Sequence, residues 1–275
     1  MTQRKNVMQN PILRYDNVLL DSIERERNGV DFFCLGHDKI VFKKMIEEIN
    51  TFCGTDFHYL AEINAFYIPG SGAIMAHYLD RFQSESIRGY LIPQIVSDRV
   101  SECERIVLSA YLHFKNSDAY ISPPSKPAPA QIITRYDHAF KALKPKKLKG
   151  DLLSLACNPR DAFYLPFTMR MLASWKIPVL EGVYTTYLDG ASITNQSVGL
   201  PVHAEAYYPP LPFIRRELKL TALHSLKYYP SENTIKLIKK CMHDPDKDIA
   251  SAADKTFRFW EKHTLLKCTG DGSVL

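Results

Sequence analysis

The pattern Glu217-Leu218-x-x-x-Ala222-x-x-x-Leu226-x-x-Tyr229 recurs 31 residues later as Asp248-Ile249-x-x-x-Ala253-x-x-x-Phe257-x-x-Trp260. Both copies place a large apolar residue, a small one and two further large ones on a single helical face. The small residue lets a neighbouring helix approach closely, and the large ones fill the groove around it. Helices patterned this way must bury that face against each other, so this part of the chain is expected to be stacked helices.

A second echo links Asn158-Pro159-Arg160-Asp161 with Asp244-Pro245-Asp246-Lys247-Asp248. Each turn follows an apolar helix, with Leu152, Leu153 and Leu155 before the first and Ile235, Leu237, Ile238 and Cys241 before the second. Proline after a short polar residue ends one helix, and a following Asp caps the next. Paired helices joined by an Asp-Pro turn, with a small residue in the second helix, resemble HEAT repeats. The resemblance rests on His243-Asp244-Pro245-Asp246-Lys247-Asp248-Ile249-x-x-Ala252-Ala253. It covers residues 214–260 and, in part, 150–175, where Pro166 intrudes in the second helix; Ala250 stands where the family often has Arg. It implies an all-α, HEAT-like helical-hairpin solenoid (an α-α superhelix), with irregular N-terminal helices serving as a cap.

Apolar spacing predicts further helices over 13–28, 39–53 capped by Asp38, 56–67, 73–83, 86–96 bent at Pro93, and 98–114 opened by Asp98. Ser122-Pro123-Pro124-Ser125-Lys126-Pro127-Ala128-Pro129 excludes helix and marks a linker or crossing loop. Helices are expected again over 131–143, 150–157, 161–175 and 178–188. The domain reading is an N-terminal helical part over 1–115, the Pro-rich segment 116–130, HEAT-like repeats over 131–265, and a tail over 266–275. Residues 191–212 lack a clean period, and a long aperiodic segment inside a compact array is usually functional.

Hydrophobic residues make up 45% and charged residues 24%, the balance of a folded chain with a sizeable core. None of the six cysteines sits in a C-x-x-C pair, and most lie in apolar stretches, which points to free thiols in a reducing cytoplasm. The basic start Met1–Val7 has no apolar run after it, so no signal peptide is expected, and no stretch is long enough to span a membrane.

Motifs for chemistry fail on spacing. Asp244, Asp246 and Asp248 open like a calcium loop, but Ile249 stands at its sixth position and Lys255 at its twelfth. Gly70-Ser71-Gly72 lacks the Gly-Lys-Ser/Thr of a phosphate loop, and His203 and Glu205 have no H-E-x-x-H around them. The expectation is a chain without metal or cofactor, and not an enzyme.

Two surfaces remain. Tyr207-Tyr208-Pro209-Pro210-Leu211-Pro212-Phe213 combines rigid aromatics and prolines that bury area at low entropic cost. With Tyr184 and Tyr187 on the preceding helix, it is either a protein-recognition surface or a loop capping the chain's own core. Lys141, Lys144, Lys146, Lys147 and Lys149 form the strongest basic run in a chain of net charge +5, either phosphate-contacting or a solvated helix end. A solenoid's usual work is binding macromolecules. The leading reading is therefore a cytoplasmic, non-enzymatic protein-binding module: an adaptor, an assembly factor or a neutraliser of another protein. The alternative is a nucleic-acid-binding protein, which the resemblance extends to a HEAT-like glycosylase of alkylated bases. That activity uses tryptophans, and only Trp175 and Trp260 are present.

Overall fold

The computed structural model describes residues 16–28, 36–66, 68–117, 129–199 and 209–270, and every regular element among them is helical. The chain divides into two compact units, residues 1–106 with 125–127, and 107–124 with 128–275. The division runs through a helix, Cys103–Lys115, rather than through the proline-rich segment, most of which lies outside the described residues.

In the first unit, α1 (Asn17–Arg27), α2 (Gly36–Cys53), α3 (Leu60–Phe66), α4 (Ser71–Tyr78) and α5 (Glu85–Ser97) lead into α6 (Cys103–Lys115). α1 packs on α3, α2 on α4, and α4 on α5. Met45, Ile49, Leu60, Ile63, Met75, Ile87 and Leu91 are completely buried. α5 continues through Pro93 to Ser97, so the proline does not end it early.

Two acids expected to start their own helices serve other segments instead. Asp38 lies inside the first turn of α2, fully buried, and accepts from the N–H groups of Gln83 and Ser84, each at 2.9 Å. Asp98 ends α5, and α6 begins only at Cys103, after Arg99 and Glu102 have taken positive φ of 49° and 59°. The Asp98 carboxylate reaches back to the N–H groups of Gly70 (3.1 Å) and Gly72 (2.6 Å), at the start of α4. Glu26 likewise accepts from Leu60 (2.7 Å) and Ala61 (2.9 Å), at the start of α3. The first N–H groups of a helix have no partner within it, and a carboxylate from a neighbour satisfies two at once.

The second unit contains the rest of α6, then α7 (Pro129–Leu143), α8 (Lys149–Cys157), α9 (Pro159–Tyr164), α10 (Pro166–Ser174), α11 (Val179–Asp189), α12 (Leu211–Leu226), α13 (Glu232–Cys241) and α14 (Lys247–Gly270). The single helix expected over 161–175 is two, because Pro166 cannot donate and starts α10 afresh. Asp137 of α7 accepts from the next donors, the N–H groups of Phe167 (2.9 Å) and Thr168 (2.7 Å) and the Thr168 hydroxyl (2.7 Å). α12 packs on α9, α10, α11 and α14, and α13 on α11 and α14.

Both sequence echoes reach the level of hydrogen bonds. Leu218, Ala222 and Leu226 are completely buried, and Ile249, Ala253 and Trp260 nearly so. The aromatics that close the two copies do equivalent work: the Tyr229 hydroxyl donates to the Ile177 carbonyl at 3.1 Å, and the Trp260 indole N–H donates to that of Lys227 at 2.7 Å. In the two turns, Asn158 Oδ1 accepts from the Arg160 N–H (2.9 Å) and Asp244 Oδ1 from the Asp246 N–H (3.0 Å).

A Cβ at Gly72 would lie 2.7 Å from Asp98 Oδ2 and 2.8 Å from the Gln94 carbonyl oxygen, closer than carbon and oxygen can approach. Gly72→Ala should therefore lower stability by about 2–3 kcal/mol in urea denaturation, because part of the clash is with backbone.

Candidate functional site

α11 stops at Gly190, which takes the left-handed conformation at φ 69° that favours glycine. The chain next becomes regular at Leu211. Of the aperiodic segment between, residues 191–199, 209 and 210 are described. The stretch 191–199 consists of turns pinned to the helices. Arg215 Nε donates to the Ile193 carbonyl at 2.8 Å, Arg160 to that of Gly199 at 3.3 Å, and Ile193 and Val198 are buried.

Beside this segment an open cleft of about 470 Å³ separates the end of α11, the first turns of α12 and the turn between α13 and α14. Gly190, Ala191 and Pro212 line it, so both flanks of the aperiodic segment border the cleft. Arg215, Arg216 and Lys219 form one wall, facing Asp244 and Asp246.

These walls are joined by ion pairs. Arg216 Nε meets Asp246 at 2.7 Å, and its terminal nitrogens meet Glu217 at 2.7 Å and Asp248 at 2.5 Å. Lys219 Nζ lies 2.5 Å from Asp244. Asp246 Oδ1 also accepts from the N–H groups of Asp248 (2.9 Å) and Ile249 (3.3 Å). The three aspartates that open like a calcium loop are thus committed to Arg216, Lys219 and the start of α14. Among the described residues no group of three or more His, Cys, Asp or Glu side chains is placed to hold a metal ion.

Burial draws the Asp244 carboxyl upward, but the Lys219 ammonium and the Asp246 N–H outweigh it and leave it below the usual carboxylate range. Arg216 holds Asp246 below that range too, and the guanidinium is itself raised, first by Asp246 and then by Glu217.

Sequence reasoning overlooked Arg215, Arg216 and Lys219. One signal was available. Ala250 stands where a cation was expected in the second repeat copy, and the residue 31 positions earlier is Lys219. That lysine reaches forward to the turn aspartate of the following pair of helices.

The aromatic candidates separate. Tyr184 and Tyr187 are buried, and their hydroxyls donate at 2.6 Å to the carbonyls of Met169 and Ala156. Both therefore bind helix to helix inside the second unit, although Tyr187 also borders the cleft. Burial pushes both hydroxyls above the ordinary tyrosine range. Phe213 is 45% exposed and meets Phe163 edge to face, at 6.2 Å between centroids. Tyr207 and Tyr208, with His203 and Glu205, lie outside the described residues.

Lys141, Lys144, Lys146, Lys147 and Lys149 are all exposed, and Lys141 Nζ stands 4.4 Å from the Phe167 ring centre. Trp260 is buried in the helix contact described above, and Trp175 caps the end of α10. Cys53, Cys103, Cys157 and Cys241 are free thiols. No described helix is long and apolar enough to cross a membrane. No family model, curated protein or solved structure matches the chain.

The depressed carboxyls stabilise the fold above the ordinary Asp range, and that contribution disappears as pH falls through their lowered values. Lys219→Met removes the cation holding Asp244. Urea stability at pH 7 should fall, by up to about 1 kcal/mol, and the difference from the parent should shrink as pH drops through the lowered Asp244 value.

Proposed function

We propose that the chain is a non-enzymatic protein-binding module built as a HEAT-like stack of helical hairpins. Its recognition surface is the cleft together with the 191–213 segment. The neighbour pattern of the second unit supports the hairpin reading. α11 with α12 and α13 with α14 form adjacent pairs, α11 lies against α13, and α12 lies against α14. Two stacked hairpins would give such neighbours, and α8, α9 and α10 are in keeping with this in packing on α11 and α12.

The observation that carries the functional reading is the position of the cleft. It opens between the two flanks of the segment that carries the Tyr207–Phe213 run of aromatics and prolines, and Phe213 stands exposed next to the lining residue Pro212. The Arg216 and Lys219 ion pairs tie the walls together in a fixed geometry, so little ordering remains to be done when a partner docks. The work of such a module is that of an adaptor, an assembly factor or a neutraliser of its partner, in the cytoplasm.

The combined change Tyr207→Ala, Tyr208→Ala, Phe213→Ala tests this. Capture of the cognate protein by the full chain should fall by at least about tenfold, with the melting temperature held within a few degrees. A lowered melting temperature with unchanged capture would make the segment part of the core and defeat the reading.

A further inference from the structure

A second surface of the same unit differs from the cleft in one respect: among the described residues its cations form no ion pair. α7 packs on α10, α10 on α12, and α12 on α14. Lys141 and Arg170 share the ring of Phe167, at 4.4 and 4.7 Å from its centre. Lys227 lies 5.0 Å from the Tyr228 ring centre and 5.7 Å from that of Phe259 on α14. His224, on α12, is half-buried, and after burial its protonation is opposed by Arg170, Lys227 and Lys255 in that order.

Carboxylates nearby are already engaged. Asp137 acts on Arg170, but it is buried and its oxygens are spent on the start of α10. Asp254 on α14 is paired with Arg258. Among the described residues, Lys141, Arg170, Lys227 and Lys255 form no ion pair, whereas Arg216 and Lys219 of the cleft are both paired. Lys141 and Lys255 are exposed, and Arg170 and Lys227 half-buried.

We propose that Lys141, Arg170, Lys227 and Lys255 form a row that binds the phosphodiester backbone of a nucleic acid. Like charges gathered without counter-charges repel one another, and a polyanion relieves that repulsion while releasing its own condensed cations. The number of cations argues for a polymer: with the exposed lysines that follow α7 they exceed what a compact anion can contact, whereas a phosphate chain can pass from one to the next. Phe167 and Phe259 fix the ammonium and guanidinium groups from below by cation–π contact, which keeps them extended for a ligand. The exposed Lys144, Lys146, Lys147 and Lys149 continue the basic surface from the C-terminal end of α7.

The test is fluorescence anisotropy of the full chain with labelled single-stranded and duplex oligonucleotides across a salt series. Lys141→Ala and Lys255→Ala remove exposed side chains and should leave folding intact. Binding is expected at low salt with either probe, the tighter one reporting the preferred form. The slope of log K against log salt should lose about one unit for each lysine that contacts phosphate, and each change should weaken binding about 3–10-fold. Lys240→Ala, on α13, should change neither. The Tyr207, Tyr208 and Phe213 variant should bind oligonucleotide normally, which separates this site from the protein-binding one. No low-salt binding, an unchanged slope in the Lys141, Lys227 and Lys255 triple variant, or tighter binding of polyglutamate than of oligonucleotide would each overturn the proposal, the last in favour of an acidic polypeptide.

Discussion

An α-helix leaves its first N–H groups and its last carbonyls without partners, and a chain of many short helices repeats that deficit at every end. Local caps such as Asp16, Asn158 and Ser231 meet part of the deficit, and side chains from other helices meet more of it. Glu26, Asp38 and Asp137 each give both carboxylate oxygens, and Asp98 gives Oδ2 alone, to a pair of main-chain N–H groups at least 26 residues away in the chain. At the opposite ends, the Tyr187 hydroxyl takes the Ala156 carbonyl near the close of α8, and the Trp260 indole takes the Lys227 carbonyl at the close of α12. Each such bond satisfies a helix end and fixes the neighbouring helix at the same time. Secondary structure and packing within each unit are therefore stabilised by the same atoms.

This arrangement sets the limit of what the sequence discloses. The helices themselves were legible, because apolar spacing depends on residues three and four apart. The pairs of equivalent positions at 31 residues were also legible, down to aromatics that bond the same kind of carbonyl. The destinations of Asp38 and Asp98 were not. An Asp before a run of apolar residues reads as a local cap, and nothing nearby says that its oxygens are taken elsewhere. Pro166 shows the reverse case, where a purely local property, a missing N–H, divides a helix that the apolar pattern alone would continue.

The functional surfaces were legible in proportion to how much of each lies in one stretch of chain. The lysine run is contiguous, and its exposure follows from its composition. Phe213 was singled out as one ring of a segment that either recognises a partner or caps the core, and its ring is 45% exposed. Tyr184 and Tyr187 resemble it in type, but their helix face turns inward, and no single-sequence signal distinguishes an aromatic that holds a neighbour from one that awaits a partner. The cleft and the unpaired cationic row draw residues from three and four separate segments, so their charge balance exists only after folding. Both carry basic side chains. Paired with Asp244 and Asp246, they stiffen a wall; left unpaired beside Phe167 and Phe259, they leave a net field.

Gly70-Ser71-Gly72 shows how such a balance can hide an affinity. Two glycines open a helix whose first N–H groups point at an anion, and that anion is the chain's own Asp98. A tethered group competes as though it were present at millimolar concentration or more. Dissolved phosphate would have to outcompete a ligand that never diffuses away, in a pocket where even a methyl group at Gly72 would strike the occupant. The site is in effect permanently saturated, and its selectivity is set by covalent connectivity rather than by shape.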